Sequence, residues 1–571
     1  MKAFGFTALV NKGLSQLNGN EAFAYSQNIE SEHISCYAHF ISKFLDDKLF
    51  RENDDYVLLL DGVVLNKRQL LNAAKETNWF SYLITRYKEK GDSFFEVLRG
   101  SFGGLLIDKR NNRSILFTDH IGSKFMYYTL HGDSFACSTM ITYLYAIRHS
   151  NQLKCTLSEQ GAVMLLTYGF MLEDYTLCEE IKKVQPGCYV VFENGKATEY
   201  RYCVLDNTPD YSITESDAIE LYDQEFRRAV ALEFEKDLEG GYKKHLVALS
   251  GGLDCRMTSW VAHEMGYTDQ LNVTFSQSDY WDETVPKQIA ADLKHEWLFK
   301  ALDNGLWLYN LDNVLEVTGG NVLYYGQAHG LSMNKYLNFD RMGGISHSGQ
   351  LGDVVMGTQM NSYNMPYSLG NGAYSTKYIS TLDSCYLATY PNLEIGLFYN
   401  RYFNGTNNGQ LVTMQNMETV SPHSEWDTMN AILKVPVSLR YNHTIYKKWI
   451  IAKYPKAAEY VWEAIGAKIT TPTLTFKGRT RTINQWTDTV LQRLQIQKRG
   501  TDSKHHMNPI GYYLGTNADL MAFINDKLKD VNLIINKTIH NIITEIIIKG
   551  TPMEKIQAVT LVRAVKKFGL E

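Results

Sequence analysis

The segment that most constrains this chain runs from His245 to Arg256 and reads HLVALSGGLDCR. An apolar run leads into Ser-Gly-Gly, an acid and an amphipathic stretch, which predicts a strand, a tight loop and the start of a helix. Gly251 and Gly252 allow the backbone to approach a charged ligand closely. Because the free N–H groups at a helix start attract phosphate, the segment predicts a nucleotide-binding loop.

Asp254 places a carboxylate beside this predicted anion site. A negatively charged carboxylate beside negatively charged phosphates makes sense if Mg²⁺ lies between them, because Mg²⁺ prefers oxygen ligands. The loop lacks the Lys of a Walker motif. It resembles the S-G-G-x-D-(S/T) pyrophosphate loop of the ATP pyrophosphatases, with Cys255 where that group usually has Ser. The alternative is a structural Gly-rich turn between a strand and a helix.

Composition limits the remaining choices. A chain of 571 residues is too long for one ordinary core, so two or more domains are expected. The net charge of −5, without a strongly basic stretch, argues against nucleic acid and anionic membranes as partners. The eight cysteines show no metal-binding spacing, and no signal peptide or membrane-spanning segment is evident. These features predict a cytoplasmic protein with reduced thiols.

The chain divides near residue 206. Before it, short β-rich runs at 56–60, 103–107, 114–117 and 188–192 alternate with turns. After it, strands at 246–249, 271–275 and 296–299 alternate with helical patterns, which predicts a parallel sheet covered by helices on both faces. Ligands of such sheets bind beyond the carboxyl ends of the strands, where Ser250 and Asp254 lie. The last third of the chain is mostly helical in pattern.

A capping box at Thr214–Asp217 predicts the start of a long helix that ends at Glu239. Four acids near its end, Glu233, Glu235, Asp237 and Glu239, are expected to form a solvated face.

A second Gly-rich segment, SGQLGDVVMG, covers residues 348–357. Its acid, Asp353, is able to share one Mg²⁺ with Asp254 if the two loops meet. On its own, the segment is better explained as a turn with a surface acid.

Taken together, the two loops and their order along the chain resemble the asparagine synthetase family, in which the second motif usually reads S-G-E-G-A-D. The amino-terminal half resembles the family as well, so the resemblance covers roughly residues 1 to 450. The matching segments are Leu60–Asn66, Gly100–Phe102 with Asp108, Asp119–Tyr128 and Pro186–Gly187. The resemblance implies a mixed α/β fold with two domains. Residues 1–206 would form a glutaminase-like, Ntn-hydrolase-type β-sandwich layered with helices. Residues 207–571 would form an ATP-pyrophosphatase-type parallel sheet with helices on both faces and a helical C-terminal extension.

Two departures from the family pattern concern nitrogen transfer. Members that use glutamine carry Cys after the initiator Met, whereas this chain has Lys2, and its first cysteine is Cys36. Without an N-terminal thiol there is no thioester route to ammonia, so we expect no glutamine hydrolysis. In this respect the chain resembles the β-lactam synthetases, carbapenam synthetases and lasso-peptide cyclases. Gln350 stands where many synthetases have Glu, and an amide is no base. The amine therefore either arrives neutral or is deprotonated by a residue from elsewhere, such as Glu418 or Glu425.

The family's catalytic-lysine loop is the third departure, because it is hard to align here. Lys477 follows the Thr471–Pro472 turn, where a cation would stabilise negative charge on the adenylate or pyrophosphate. A solvated loop lysine is the alternative. Should Lys477 have no role, Lys434, Arg440, Lys447 and Lys448 are the next candidates.

The resemblance implies an ATP-dependent ligase that adenylates a carboxylate and transfers the acyl group to an amine. Its cofactors would be ATP and Mg²⁺. The carboxylate remains open among small molecules, sugar acids and peptides, and so does association into a homodimer. The implied pyrophosphate ligands are Ser250, Gly251, Gly252 and Cys255; the adenosine contacts are Leu249, Val273, Ser348 and Gly349; the Mg²⁺ ligands are Asp254 and Asp353, with Asp282 as a weaker candidate. An ammonia-dependent amidotransferase and a non-catalytic nucleotide-binding relic are the alternatives.

Overall fold

The computed structural model describes residues 4–11, 13–14, 27–31, 34–383, 389–476, 479–487 and 500–571. Two six-stranded sheets with antiparallel neighbours form the first part of the chain, in the orders β10-β8-β9-β1-β3-β2 and β12-β11-β7-β6-β5-β4. The strands are β1 (Gly5–Val10), β2 (Gln27–Glu30), β3 (Ile34–His39), β4 (Leu49–Glu52), β5 (Tyr56–Val64), β6 (Gly100–Asp108), β7 (Arg113–Thr118), β8 (Tyr127–His131), β9 (Ser134–Ser138), β10 (Ile181–Lys183), β11 (Cys188–Glu193) and β12 (Lys196–Arg201).

The two sheets pack face to face, and helices cover their outer faces. Ala8 of β1 and Leu105 of β6 share the core between the sheets. Outside the second sheet lie α1 (Lys67–Ala74) and α2 (Trp79–Lys90), and outside the first lie α3 (Ile141–Ser150) and α4 (Glu159–Tyr168). All nine residues of β5 are therefore buried, because one face meets the other sheet and the opposite face meets α2. This double burial explains the continuous apolar run in the sequence.

The second part contains a five-stranded parallel sheet in the order β15-β14-β13-β16-β17. Its strands are β13 (His245–Ala248), β14 (Gln270–Ser276), β15 (Glu296–Ala301), β16 (Ile345–His347) and β17 (Glu418–Val420), and short hairpins follow as β18 (Val461–Trp462), β19 (Ala467–Lys468), β20 (Leu474–Phe476) and β21 (Arg479–Arg481). The predicted β-α-β-α-β order is confirmed. The strand order reverses direction between β13 and β16, which is where ligands bind in such sheets.

Helices pack around this sheet and continue to the end of the chain. They are α5 (Glu215–Glu239), α6 (Asp254–Glu264), α7 (Trp281–Leu293), α8 (Leu311–Thr318), α9 (Tyr325–Asn334), α10 (Gly352–Val355), α11 (Leu393–Leu397), α12 (Leu411–Met414), α13 (Trp426–Ile432), α14 (Val437–Arg440), α15 (Thr444–Lys453), α16 (Ile510–Thr516), α17 (Ala518–Leu528), α18 (Lys537–Lys549) and α19 (Pro552–Phe568). Within the described ranges, none of the helices is long and apolar enough to cross a membrane.

The C-terminal helices pack against the first part of the chain. Val559 and Leu561 of α19 share one apolar core with Tyr143 of α3 and Leu165 of α4. The backbone of Glu571 exchanges hydrogen bonds with Cys155 and Leu157. The two halves of the sequence are thus joined by a common core as well as by the linker near residue 206.

Helix α5 begins at the predicted capping box, in which Thr214 and Asp217 each cap the backbone N–H of the other, and it ends at Glu239. The expectation of a solvated acidic face was wrong for two of its acids. Glu233 and Asp237 are buried, and Asp237 accepts hydrogen bonds from His245 Nδ1 and His347 Nε2, both at 2.9 Å. Glu233 and Asp237 lie on the side of α5 that packs against the sheet. The spacing of charged residues in the sequence does not show which side of the helix is buried.

A buried charge network joins the two halves. Glu418 of β17 binds Lys48 at 2.7 Å and Lys124 at 2.8 Å, and Lys124 also binds Asp61 at 3.1 Å. All four side chains are at most 2% exposed. Burial by itself would raise the pKa of Glu418, but the two ammonium groups lower it below its ordinary value. Glu418 is consequently a fixed charge of the interface, and this removes one of the two candidate bases.

We predict that Glu418→Gln destabilises the protein by about 3 kcal/mol or more, because it leaves two buried ammonium groups with a single carboxylate. The measurement is thermal unfolding followed by circular dichroism. Glu215→Gln is the matched control, because its partner Lys448 lies at the surface, and an exposed pair contributes about 1 kcal/mol or less. A Lys124→Met/Glu418→Gln double variant should recover part of the loss. A Glu418→Gln protein with the wild-type unfolding temperature would contradict the prediction.

Candidate functional site

The predicted nucleotide loop lies between β13 and α6. Helix α6 starts at Asp254, and no side chain caps its first turn. The orphan N–H groups of that turn are therefore free to bind a ligand at the positive end of the helix dipole. Ser250, Gly252, Asp254 and Cys255 line a cavity of about 390 Å³ above the carboxyl ends of the strands.

The second predicted loop lies directly against the first. A Cβ atom at Gly349 would meet the backbone nitrogen of Cys255 at 2.2 Å, and one at Gly352 would meet Cγ of Asp254 at 2.4 Å. Only glycine permits this contact, so both glycines are explained by the close approach of the two loops. The structure thus brings together the two motifs that lie about a hundred residues apart in sequence.

The two acids meet at this contact. Oδ2 of Asp254 accepts the backbone N–H of Asp353 at 3.0 Å, and Oδ1 accepts the hydroxyl of Tyr446 at 3.0 Å. Desolvation raises the pKa of both carboxyls, and the charge of Asp353 raises that of Asp254 further. Asp254 is half-buried and Asp353 is exposed, and two neighbouring carboxylates of this kind form a hard oxygen donor set, which fits Mg²⁺. Tyr446 carried no sequence signal, because it lies on α15, almost two hundred residues after Asp254.

The other residues predicted to bind pyrophosphate differ in whether their polar groups are available to a ligand. The N–H of Gly251 already donates to Oδ1 of Asp282 at 2.6 Å, so this group holds the loop and is not free for phosphate. Burial raises the pKa of Asp282 to about 6 and that of Cys255 to about 11. Cys255 is therefore a neutral thiol, and Asp282 supports the loop from the start of α7.

The residues predicted to contact adenosine lie in two different environments. Val273, Ser348 and Gly349 line the cavity. The side chain of Leu249 instead packs in the core of the second part of the chain, and its backbone N–H and C=O are bonded to Val273 and Thr274. A contact of Leu249 with a nucleotide would therefore involve its backbone region only.

Gln350 closes one end of this cavity. Its Oε1 accepts a hydrogen bond from Gln410, and its Nε2 donates to Asn407 at 3.2 Å. Gln350 and Gln410 also line a second, smaller cavity of about 50 Å³ between the two halves of the chain. The pair of amides separates the two spaces.

Glu425 lines the smaller cavity. Its Oε2 binds Arg228 at 2.6 Å and the N–H of Thr428 at 2.9 Å. Its buried Oε1 accepts no hydrogen bond from the described residues and lies 3.9 Å from Nε of Arg99. Of the two acids considered as bases, Glu425 is the one that faces a cavity.

Lys477 lies outside the described residues. Among the described ones, Lys447 near the start of α15 is a candidate cation. Lys447 is half-buried, forms no ion pair with the described residues, and has a pKa lowered by burial. It is one residue after Tyr446, which binds Asp254. The sequence does not distinguish it from Lys448, which pairs with Glu215 at the surface.

Comparisons with known proteins agree with this architecture. The family model described as a glutamine amidotransferase domain matches residues 46–203. "Putative asparagine synthetase (glutamine-hydrolyzing) 2" of Methanocaldococcus jannaschii is 24% identical over 351 residues, which cover 57% of this chain and 63% of that protein. "Amidase chry2" of Gibberella zeae is 27% identical over 177 residues, 30% of this chain and 24% of that protein. The matches thus span less than two thirds of these relatives.

Among solved structures, one neighbour is the glutamine phosphoribosylpyrophosphate amidotransferase of B. subtilis, complexed with ADP and GMP. The alignment covers 52% of this chain and 59% of that protein. Its sequence identity is 9% and its TM-score is 0.23, which is too low to support an argument. The match to the glutamine amidotransferase domain, the archaeal relative and the two motif loops in their order support an assignment of this chain to the asparagine synthetase family.

Proposed function

We propose that this protein is an ATP-dependent amide-bond-forming ligase that activates a carboxylate as its adenylate. The observation that carries the proposal is the contact of Asp254 and Asp353 beside the uncapped first turn of α6. Two carboxylates held this close repel each other unless a cation lies between them. A relic without ligands would gain nothing from keeping both.

The reaction proceeds in two steps. An oxygen of the substrate carboxylate attacks the α-phosphorus of ATP, and the bond to the β-phosphate breaks with its electron pair leaving on pyrophosphate. An amine nitrogen then attacks the acyl carbon, the bond to AMP breaks, and the nitrogen loses a proton. Activation is needed because a carboxylate is a poor electrophile, whereas AMP is a good leaving group.

The residues of the chain divide this work. The free N–H groups at the start of α6 bind the pyrophosphate. Tyr446 and the N–H of Asp353 fix the orientation of the Asp254 carboxylate. When bound, Mg²⁺ would be held by Asp254 and Asp353 and would neutralise phosphate charge. Glu425, whose Oε1 lines the smaller cavity without a hydrogen bond from the described residues, is the acceptor that we propose for the proton of the amine.

The proposal does not include glutamine as the nitrogen source. The thiols of Cys36, Cys137 and Cys188 lie in the core between the two sheets. Burial raises the pKa of each of them, to about 12 for Cys188, so they stay protonated and inaccessible. The amine or ammonia would thus reach the adenylate from solution.

We expect Asp254→Asn and Asp353→Asn each to weaken Mg²⁺-dependent ATP binding by at least about tenfold, because each removes one negative charge from the metal site and keeps the side-chain size. Isothermal titration with α,β-methylene-ATP, with and without Mg²⁺, measures this effect. Asp269→Asn, at an exposed acid of the same part of the chain, is the control. Wild-type affinity in either variant would remove that residue from the metal site.

Incubation with glutamine should release no glutamate, with or without ATP. A turnover on the order of 1 per second, typical of enzymes, would show that the first domain retains an active nucleophile. Ammonium and primary amines, supplied in the presence of an accepted carboxylate, then distinguish an amidotransferase from a ligase for larger amines.

Replacement of the site lysines is the fourth test. Lys447→Met should lower kcat in pyrophosphate exchange by about a hundredfold, roughly 2.7 kcal/mol, with a smaller effect on the KM for ATP, since a preorganised charge acts mainly in the transition state. Met keeps most of the apolar stem. Lys448→Met is the matched surface control, and Lys477→Met tests the loop candidate in parallel. Loss of activity in Lys477→Met alone would assign the role to Lys477.

A further inference from the structure

Helix α9 covers the nucleotide cavity opposite the sheet, and we call its residues 326–334 the roof. Gln327 of the roof lines the cavity and is 5% exposed. Its Oε1 has no hydrogen-bond partner among the described residues. A buried acceptor without a donor costs about 1–3 kcal/mol, so this atom indicates a ligand that brings an N–H or O–H group.

His329 provides a second acceptor in the roof. Its Nδ1 lies 3.3 Å from the carbonyl oxygen of Tyr325. Because a carbonyl only accepts, Nδ1 carries the proton and Nε2 keeps its lone pair. Burial lowers the pKa of His329 to about 4, so the ring is neutral at physiological pH. Phe275 and Trp307 pack beside it and fix its position.

The charged side chains that line the cavity indicate which charges a substrate is able to carry. Among the described residues that line it, Asp254 is the only acidic side chain, and neither Lys nor Arg is present. Asp254 already belongs to the proposed metal site. A second carboxylate or an ammonium group on the substrate would therefore be buried without a counter-charge, which is strongly unfavourable. The remaining surface between the roof and the sheet is apolar and includes Phe275, Met333, Leu337 and Phe339.

We propose that the roof selects a carboxylic acid whose remaining part, the acyl arm, is uncharged: an apolar body that carries a neutral amide or hydroxyl donor, bound by Gln327 Oε1 and His329 Nε2. This inference rests on the proposed adenylation, because the arm extends from the carboxylate that ATP activates. An arm of this kind differs from aspartate, which brings an ammonium group and a second carboxylate.

Stable adenylate mimics test the proposal without knowledge of the natural substrate. The probes are sulfamoyladenosine and its N-acyl derivatives with a succinamoyl arm, a 4-methylpentanoyl arm or a β-aspartyl arm. The first two arms have nearly the same shape, and the third adds both charges. We expect isothermal titration to show that the succinamoyl compound binds at least about tenfold more tightly than each of the other three.

Variants identify the group that recognises the arm. Gln327→Leu should remove most of the succinamoyl advantage and leave the affinity for the 4-methylpentanoyl compound unchanged. His329→Phe should have a similar effect and keep the ring packing against Phe275. The comparison of arms on the wild-type protein remains decisive even if a variant does not fold.

Three results would overturn the inference: equal affinities for all arms, tighter binding of the aspartyl arm, or a loss in Gln327→Leu that is the same for sulfamoyladenosine itself. The last would show that Gln327 binds adenine. If neither sulfamoyladenosine nor α,β-methylene-ATP binds, the proposed function fails, and this outcome is distinct from the other three.

Discussion

The site depends on one contact, in which the backbone of the 348–353 loop lies against the first turn of α6. Gly349 and Gly352 make this approach sterically possible. The N–H of Asp353 then reaches Oδ2 of Asp254, so the second acid orients the first by its backbone as well as standing beside it. Without this contact, the phosphate loop and the second motif would be two separate turns at the ends of different strands.

The strands beneath this contact are held together by a buried polar cluster. Asp237 of α5 accepts hydrogen bonds from His245 on β13, from His347 on β16 and from the N–H of Ile345. Burial opposes protonation of His347, but the carboxylates of Asp237 and Glu233 raise its pKa to about 9. The imidazolium therefore links the helix to the two strands whose carboxyl ends carry the loops. A displacement of either strand would separate Asp254 from Asp353.

The first part of the chain, which matches the glutamine amidotransferase domain, contributes to the same geometry. Glu418 anchors β17, next to β16, on Lys48 and Lys124 of the first domain. Glu425, a few residues later, lines the cavity between the halves. The first part of the chain thus forms one wall of this cavity. The buried ion pairs fix the position of this wall more than they add stability.

Sequence alone determined the elements whose signals are local. The capping box at Thr214, the strand-loop-helix around Ser250 and the alternation of strands and helices after residue 206 follow from patterns within a few residues, and they occur as expected. The two motif loops produced the resemblance to the asparagine synthetase family, because glycines and acids in fixed spacing are rarely combined by chance. Tertiary structure alone decided the rest. It buried Asp237 and Glu233, committed Glu418 to two lysines, exposed Glu425 to a cavity and placed Tyr446 on Asp254. Each of these roles depends on which distant strand or helix packs opposite the residue, and a one-dimensional pattern does not contain that information.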